Sequence, residues 1–285
     1  MTEFTPDEMM VVCIAHQIAD GEVVVQGLAT PLVASAYLLA RRTHAPNLYF
    51  ASAIGQGICR RPAPLALLQV ERLWLDQSMN NPGFVRVVAD VLPTMRPKEY
   101  FRPAQVDPNG NFNNIAFGKD YLRPRLRLPG TGGIPDVTTF IENICLYVPR
   151  HSRLTFVQRL DYLSGLGHHS RRIKGCGPGY LVSDLGQFDF YRADGDRNLE
   201  PRMRLTTYHP GQSIEYIQRK TGFELDIAPD VAETPLPTDE EIYLLRNDID
   251  PWGIRKLELL SGADRRLLLR QIIRLESEVL TIHDG

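Results

Sequence analysis

Apolar and polar positions along the 285-residue chain change period several times, and each change marks an element. Thr5 with Glu8 three residues on forms a capping box, Pro6 stands at a first helical position, and Met10, Ile14 and Ile18 make one apolar stripe. A helix is predicted there, ending near Asp20-Gly21. Glu22 to Gln26 is short, β-branched and uninterrupted, the pattern of a strand buried on both faces of a parallel sheet. After a glycine-bearing turn, Thr30 is placed to cap a helix that begins with Pro31 and runs to about Thr43. Its small residues Ala34, Ser35, Ala36 and Ala40 permit close approach to a sheet. Ala45-Pro46 stops it, and Leu48 to Ser52 reads as a second strand. Strand, helix and strand with a right-handed crossover are the organising unit. In open sheets of this kind ligands gather at the carboxyl ends of strands, here the loop after Gln26 and the loop from Ala53 to Gly57.

Further along, Val70 to Leu75 reads as a strand, and Phe84 to Leu92 as a helix ended by Pro93. Gln105 to Asn111 is a strand entering a Pro-Asn-Gly turn, with Phe112 to Phe117 as the return arm. Arg123, Arg125 and Arg127 alternate with leucines on an extended segment, and Pro129 to Gly133 is the tightest glycine cluster of the chain. Ile144 to Val148 and Arg159 to Tyr162 are further strand candidates. Tyr180 to Ser183 and Phe188 to Tyr191 flank a hairpin turn, and Met203 to Tyr208 adds a third strand. Helices are expected from Ser213 to Thr221 and, behind a Thr238 cap with Glu241, from Asp239 to about Asp248. Ala263 to Leu280 is a last helix with Leu268, Ile272, Leu275 and Val279 on one face and Arg266, Arg270 and Arg274 on another. Two readings of it stand open: a surface helix covering its own domain, or a clamp on a partner subunit. With no internal repeat or low-complexity linker, the chain reads as one α/β domain over residues 1–260 and a helical extension over 261–285.

The formal net charge of −2 supplies no field that would gather nucleic acid or an anionic membrane. No apolar run approaches membrane-spanning length, and Met9 to Ala15 follows Asp7 and Glu8 rather than basic residues, so neither a membrane segment nor a secretory signal is expected. Cys13, Cys59, Cys145 and Cys176 are widely spread with no CxxC pair, which suits reduced thiols in the cytoplasm. Cys59 has no histidine near it in sequence and is read as inert. Adjacent His168 and His169 have no supporting carboxylate spacing, so no metal site is expected; His16 and His44 are read as structural. The three arginines are read first as a solvated strand face and second as phosphate contacts.

With these residues in view, the chain resembles the B subunit of the family I CoA-transferases, of the glutaconate CoA-transferase type. Val23 to Pro31 resembles the family's strand and glycine turn, and His44-Ala45-Pro46-Asn47 the stretch leading into its active-site strand. Gln105 to Asn113 is similar to its Asp-Pro-x-Gly-Asn-x-Asn turn, Pro129 to Gly133 to its glycine loop, and Thr221 to Ile227 and Ile249-Asp250-Pro251 to its C-terminal markers. The resemblance covers about Thr5 to Pro251 and leaves Ser261 to Gly285 outside. It implies an α/β fold with a mixed, mainly parallel sheet and helices on both sides. It also implies a separate A subunit of related fold in a heterotetramer or larger assembly, and a CoA thioester as substrate, with no cofactor bound by the protein itself.

One departure bears on the chemistry. The family's transferases carry a nucleophilic glutamate eight residues after the alanine of the Ala-Pro step, and counting from Ala45 gives Ala53-Ile54-Gly55. A methyl group cannot form the glutamyl-CoA thioester on which exchange depends. The resemblance then points to the family's glutamate-less relatives, which decarboxylate an unsaturated dicarboxylyl-CoA or open a carbocyclic ring by hydrolysis. Gly55, Gly130, Thr131, Gly132 and Gly133 are the expected contacts to the thioester oxyanion, and Gly27, Ala53, Ile54, Gln56 and Asn113 the expected substrate or CoA pocket. A true transferase with its nucleophile elsewhere and a non-catalytic ligand-binding chain are the alternatives.

Overall fold

Val23–Gln26 (β1) and Tyr49–Ser52 (β2) run parallel, with Gln26 opposite Ser52 and Val24 opposite Phe50, and Pro31–Thr43 (α2) crosses between them. The apolar runs and the Pro31 start therefore act as expected. The cap does not. Thr30 occupies the N-cap position without capping; its hydroxyl turns back to the carbonyl of Gly27, and the Leu32 N–H is taken by Glu258 at 2.9 Å. A carboxylate 226 residues away does the work assigned to the neighbouring hydroxyl.

This computed structural model describes residues 3–27, 30–53, 55–169, 172, 175–192 and 199–283. The chain gathers into two compact units, Met1–Val87 with Pro237–Gly285, and Val88–Leu236.

In the first unit, Gly57–Cys59 (β3) and Ser78–Asn80 (β4) extend the sheet antiparallel in the order β1-β2-β3-β4. Pro6–His16 (α1) starts where expected, and the Thr5 N–H donates to Glu8 at 2.9 Å. It is buried from Asp7 to Ala15, on all sides rather than along one stripe. Asp7 and Glu8 can be buried because Arg255, 1% exposed, meets Asp7 at 2.8 Å, Glu8 at 2.9 Å and Asp250 at 2.9 Å. Asp250 also accepts the N–H groups of Ile254 and Arg255, so the Asp-Pro marker starts the 3-10 helix Ile254–Glu258 that carries Glu258 to α2. Val70–Asp76 (α3) is a helix and not the expected strand; apolar residues at 70, 73 and 74 follow the i, i+3, i+4 spacing of a helix, and Arg72 breaks any alternation. Asp239–Tyr243 (α8) has the predicted Thr238–Glu241 capping box. Gly262–His283 (α9) buries Ile272 against Ile254 and Leu257, with Leu65, Leu67, Trp252, Leu268 and Leu269 around them. This face covers its own unit. Leu269 serves it, whereas Val279, expected there, is exposed, as are Arg266, Arg270 and Arg274.

The chain passes between units through helical turns at Phe84–Arg86 (α4) and Leu92–Met95 (α5), where Pro93 lies in a first turn instead of ending a helix. In the second unit the sheet order is β5-β10-β11-β12-β13-β14, from Lys98–Phe101 (β5), Asn143–Val148 (β10), Tyr180–Ser183 (β11), Gly186–Tyr191 (β12), Arg202–Tyr208 (β13) and Asp226–Glu233 (β14). β10 runs parallel to β5 and β11, β12 antiparallel to both its neighbours, and β14 parallel to β13 behind the helix Ile214–Lys220 (α7). β14 escapes the sequence reading because Asp226, Pro229, Asp230 and Glu233 suit an edge strand, where charge and proline discourage further pairing. Arg159 to Tyr162 is irregular; there the Asp161 N–H donates to Gln105. The long connection from β5 to β10 holds the hairpin of Gln105–Val106 (β6) and Phe112–Asn113 (β7), the short pair Ala116–Phe117 (β8) and Leu126–Arg127 (β9), and the helix Ile134–Phe140 (α6). The expected α/β class with a mixed sheet and a further C-terminal helix is thus present.

Candidate functional site

The turn after β2 begins where β1 and β2 stop pairing: the Ala53 N–H donates to the Gln26 carbonyl at 2.9 Å. Ser52 is fully buried, and its hydroxyl accepts the Gly55 N–H at 2.9 Å, while Asn81 donates to the Gly55 carbonyl at 3.2 Å. Gly55 is therefore already engaged through both backbone groups. Its lack of a side chain has a local cause, since a Cβ would come within 2.8 Å of the Trp74 Cβ. Gln56 holds a left-handed backbone at φ 50°, a conformation that disfavours residues with a Cβ. Gly27 lies one residue from Gln26 at the end of β1; Ile54 falls outside the described residues.

By register, Gln26, Phe50 and Ser52 share one face of β1 and β2. On that face lies a cavity of about 360 Å³, within the ordinary range for small-molecule pockets. Gln26, Phe50, Ala34, Leu67 and Trp74 are among its lining residues, with exposed Glu71 also contributing. Gln26 is 4% exposed, and its Oε1 has no hydrogen-bond partner among the described residues.

In the second unit, Gly130 and Gly132 have φ of 105° and 51°, with nothing near the position a Cβ would take. The Gly130 N–H donates to the Asn114 carbonyl at 3.1 Å, tying the glycine loop to the arm that leaves β7. The N–H groups of Thr131, Gly132 and Gly133 have no partner among the described residues and are the open donors of this loop. Asn113 is fully buried. Its amide donates to Gln105 and to the Ala116 carbonyl and accepts the Ile115 N–H, so its polar capacity is spent within the fold.

No family model matches the chain. It is 29% identical over 273 residues to the B subunit of glutaconate CoA-transferase from Acidaminococcus fermentans, covering 88% of this chain and 94% of that one. It is likewise 29% identical over 268 residues to the cholesterol ring-cleaving hydrolase IpdB subunit of Rhodococcus jostii, covering 91% and 98%. A crystal structure of a variant of the decarboxylase AibA/AibB is 30% identical and superposes with a TM-score of 0.75 over 89% of this chain and 98% of that one. The chain belongs to the CoA-transferase family, as a B-type subunit.

Family membership gives the two segments their context: the glycine loop is one of the stretches that carried the resemblance, and the β2 turn holds the departure from it at Ala53. The Gln105–Asn113 marker serves the fold. Asp107 accepts the N–H groups of Asn109 and Asn111, closing the β6–β7 turn, and burial is the larger influence on its carboxyl, raising its pKa. Arg125 lies over the Phe117 ring and Arg127 over Tyr121 at 4.6 Å, the latter also donating to the Tyr121 carbonyl. Cys59 is fully buried, and burial raises its thiol pKa, so it is no thiolate nucleophile. Among the described residues no group of three or more His, Cys, Asp or Glu is set to hold a metal ion, and no helix is long and apolar enough to cross a membrane.

Sequence reasoning missed a buried histidine cluster at the ends of β10 and β11. His151 stacks on Phe156 at 3.6 Å, contacts the hydroxyls of Ser183 and Thr221 at 3.0 Å each, and donates its backbone N–H to Asp184. The Ser-His-Asp grouping resembles a nucleophile with its base, but Ser183 is fully buried and its hydroxyl also takes the Leu185 N–H. Burial holds the His151 pKa down to about 3, so the ring is neutral and fixes loops rather than moving protons. No spacing rule would have found it, because its members come from three separate stretches, 151–156, 183–185 and 221.

Proposed function

We propose that this chain is the B subunit of a two-subunit acyl-CoA enzyme that breaks a carbon–carbon bond, by ring-opening hydrolysis or by decarboxylation, rather than one that exchanges CoA between acids. The observation that carries this reading is Ala53, a methyl group on the turn after β2 at the position that the family count assigns to the nucleophilic glutamate. Without a carboxylate there, no anhydride or glutamyl-CoA thioester forms at this position. What remains useful is polarisation. Hydrolysis and decarboxylation both place negative charge on the thioester oxygen, in a tetrahedral adduct or an enolate, and a preorganised N–H donor aimed at such an oxygen contributes about 3 kcal/mol. Thr131, Gly132 and Gly133 supply open N–H donors for that role. The acid–base residue belongs to a partner A subunit of related fold, in a heterotetramer or larger assembly. CoA arrives as part of the substrate, and the free cysteines suit a cytoplasmic location. The ring-cleaving hydrolase and the decarboxylase among the relatives support the reading; the transferases among them support its competitor.

That competitor is CoA exchange with another carboxylate as nucleophile, and Glu71 among the cavity's lining residues is the position that favours it. The chain co-purified with its A subunit separates the two. Borohydride reduction during turnover, followed by peptide mass spectrometry, is expected to find no modified glutamate on this chain, and an acyl-CoA with free acids is expected to show no ping-pong exchange. A reduced Glu71, or efficient exchange, overturns the proposal. Calorimetry with CoA esters, with and without the A subunit, tests the non-catalytic alternative, which requires full affinity in the isolated chain.

A further inference from the structure

The cavity beside β1 and β2 has two features that a void in a core lacks. The Gln26 amide, buried against it, leaves Oε1 without a hydrogen-bond partner among the described residues, although buried polar atoms are nearly always paired. Its outer wall, residues 65–67, is also held from outside. Glu276 on α9, 2% exposed, accepts the N–H groups of Leu67 and Leu68 at 3.0 Å and of Gln69 at 3.4 Å. Three successive backbone donors converging on one carboxylate fix that wall just ahead of α3. Leu65 and Leu67 pack into the cluster formed by Ile254, Leu257 and Ile272, so the same helix grips the wall through both polar and apolar contacts.

The cavity also adjoins the Ala53 turn by hydrogen-bond and packing links. The Gln26 carbonyl receives the Ala53 N–H, and Trp74, which lines the cavity, is the residue Gly55 packs against. We infer that this cavity selects the acyl group of the thioester, that it takes a compact apolar carbon skeleton bearing one hydroxyl or keto oxygen, and that α9 sets its shape through Glu276. The inference rests on the acyl-CoA reading above. The apolar lining recognises the skeleton. The Gln26 amide recognises the oxygen: an amide can present either its carbonyl or its NH₂, so a hydroxyl satisfies either orientation and a keto group the second.

The test uses the complex with the A subunit and calorimetry with three probes: free CoA, cyclohexanecarbonyl-CoA and 4-hydroxycyclohexanecarbonyl-CoA. The hydroxylated thioester is expected to bind about 10- to 100-fold more tightly than the unsubstituted one, the range expected for filling a buried unpaired group. Gln26→Leu, close in shape, should abolish that preference while leaving CoA affinity within about twofold. Glu276→Gln should weaken both thioesters several-fold and CoA not at all. Should either variant fold poorly, Ala34→Leu, which fills the cavity from α2, should weaken both thioesters toward the affinity of CoA. Equal affinity for the two thioesters in the unmodified complex, or a preference that survives Gln26→Leu, overturns the inference and leaves the acyl-CoA reading standing. If none of the three probes binds, the acyl-CoA reading fails and takes the pocket with it.

Discussion

Asn113 and Gln56 mark two kinds of residue near the candidate segments. Asn113 holds β7 to Gln105 and to the start of β8 through fully buried bonds, so Asn113→Ala leaves several polar groups unpaired. A loss of about 2–3 kcal/mol is expected in urea unfolding. Gln56 instead stores strain beside Ala53: its left-handed backbone favours glycine, and Gln56→Gly is expected to raise stability by about 1 kcal/mol in the same measurement. Sequence spacing placed both residues at turns. It assigned Asn113 to the substrate because exposure and internal hydrogen bonding have no signature in spacing.

Among the elements, α1, α2, the 3-10 helix and α9 are joined by charges buried far from their sequence neighbours. Arg255 balances Asp7, Glu8 and Asp250, so Arg255→Met leaves three buried carboxylates without that cation. Removing one partner of such a group costs about 3–5 kcal/mol, and thermal unfolding of the variant should show a loss of that order or a chain that does not fold. The amphipathic pattern of α9 was legible, as were α2 and the β1–β2 pair, because each declares itself by local period. The strand expected at Val70 to Leu75 became α3 because residues 70, 73 and 74 follow helical spacing, and Glu276, more than 200 positions away, holds the backbone just ahead of it.

For the whole molecule, buried ionisable groups set the pH range of stability. Burial pushes His151 and His209 down to about 3 and about 4, so they stay neutral in the fold while the unfolded chain takes up protons below about 6.5. The unfolded state then binds more protons, and stability falls as pH drops through that window. Burial works to raise the pKa of Glu8 and of Glu241, but hydrogen bonds led by Arg246 and His16 prevail and bring each to about 2. Their contribution is present above about 4.5 and is lost toward pH 2. Glu99 acts in the opposite direction. Burial lifts it to about 8, so the fold keeps a proton that the unfolded chain releases above about 4.5, and stability declines as pH rises from there to about 8. Urea unfolding from pH 4 to 9 should show both limbs, and Glu99→Gln should be more stable than the unmodified protein at pH 8 and nearly equal to it at pH 5. The sequence by itself determined the α/β class, the β1-α2-β2 unit, the family's turns and the alanine at position 53, because period, turn chemistry and motif order are local properties of a chain. Only the tertiary structure decided which carboxylates cap which helices, that Asn113 is spent inside the fold, and that Gln26 lines a cavity. Those depend on groups meeting across tens to hundreds of residues, and burial decides whether a polar atom serves the fold or is left for a ligand.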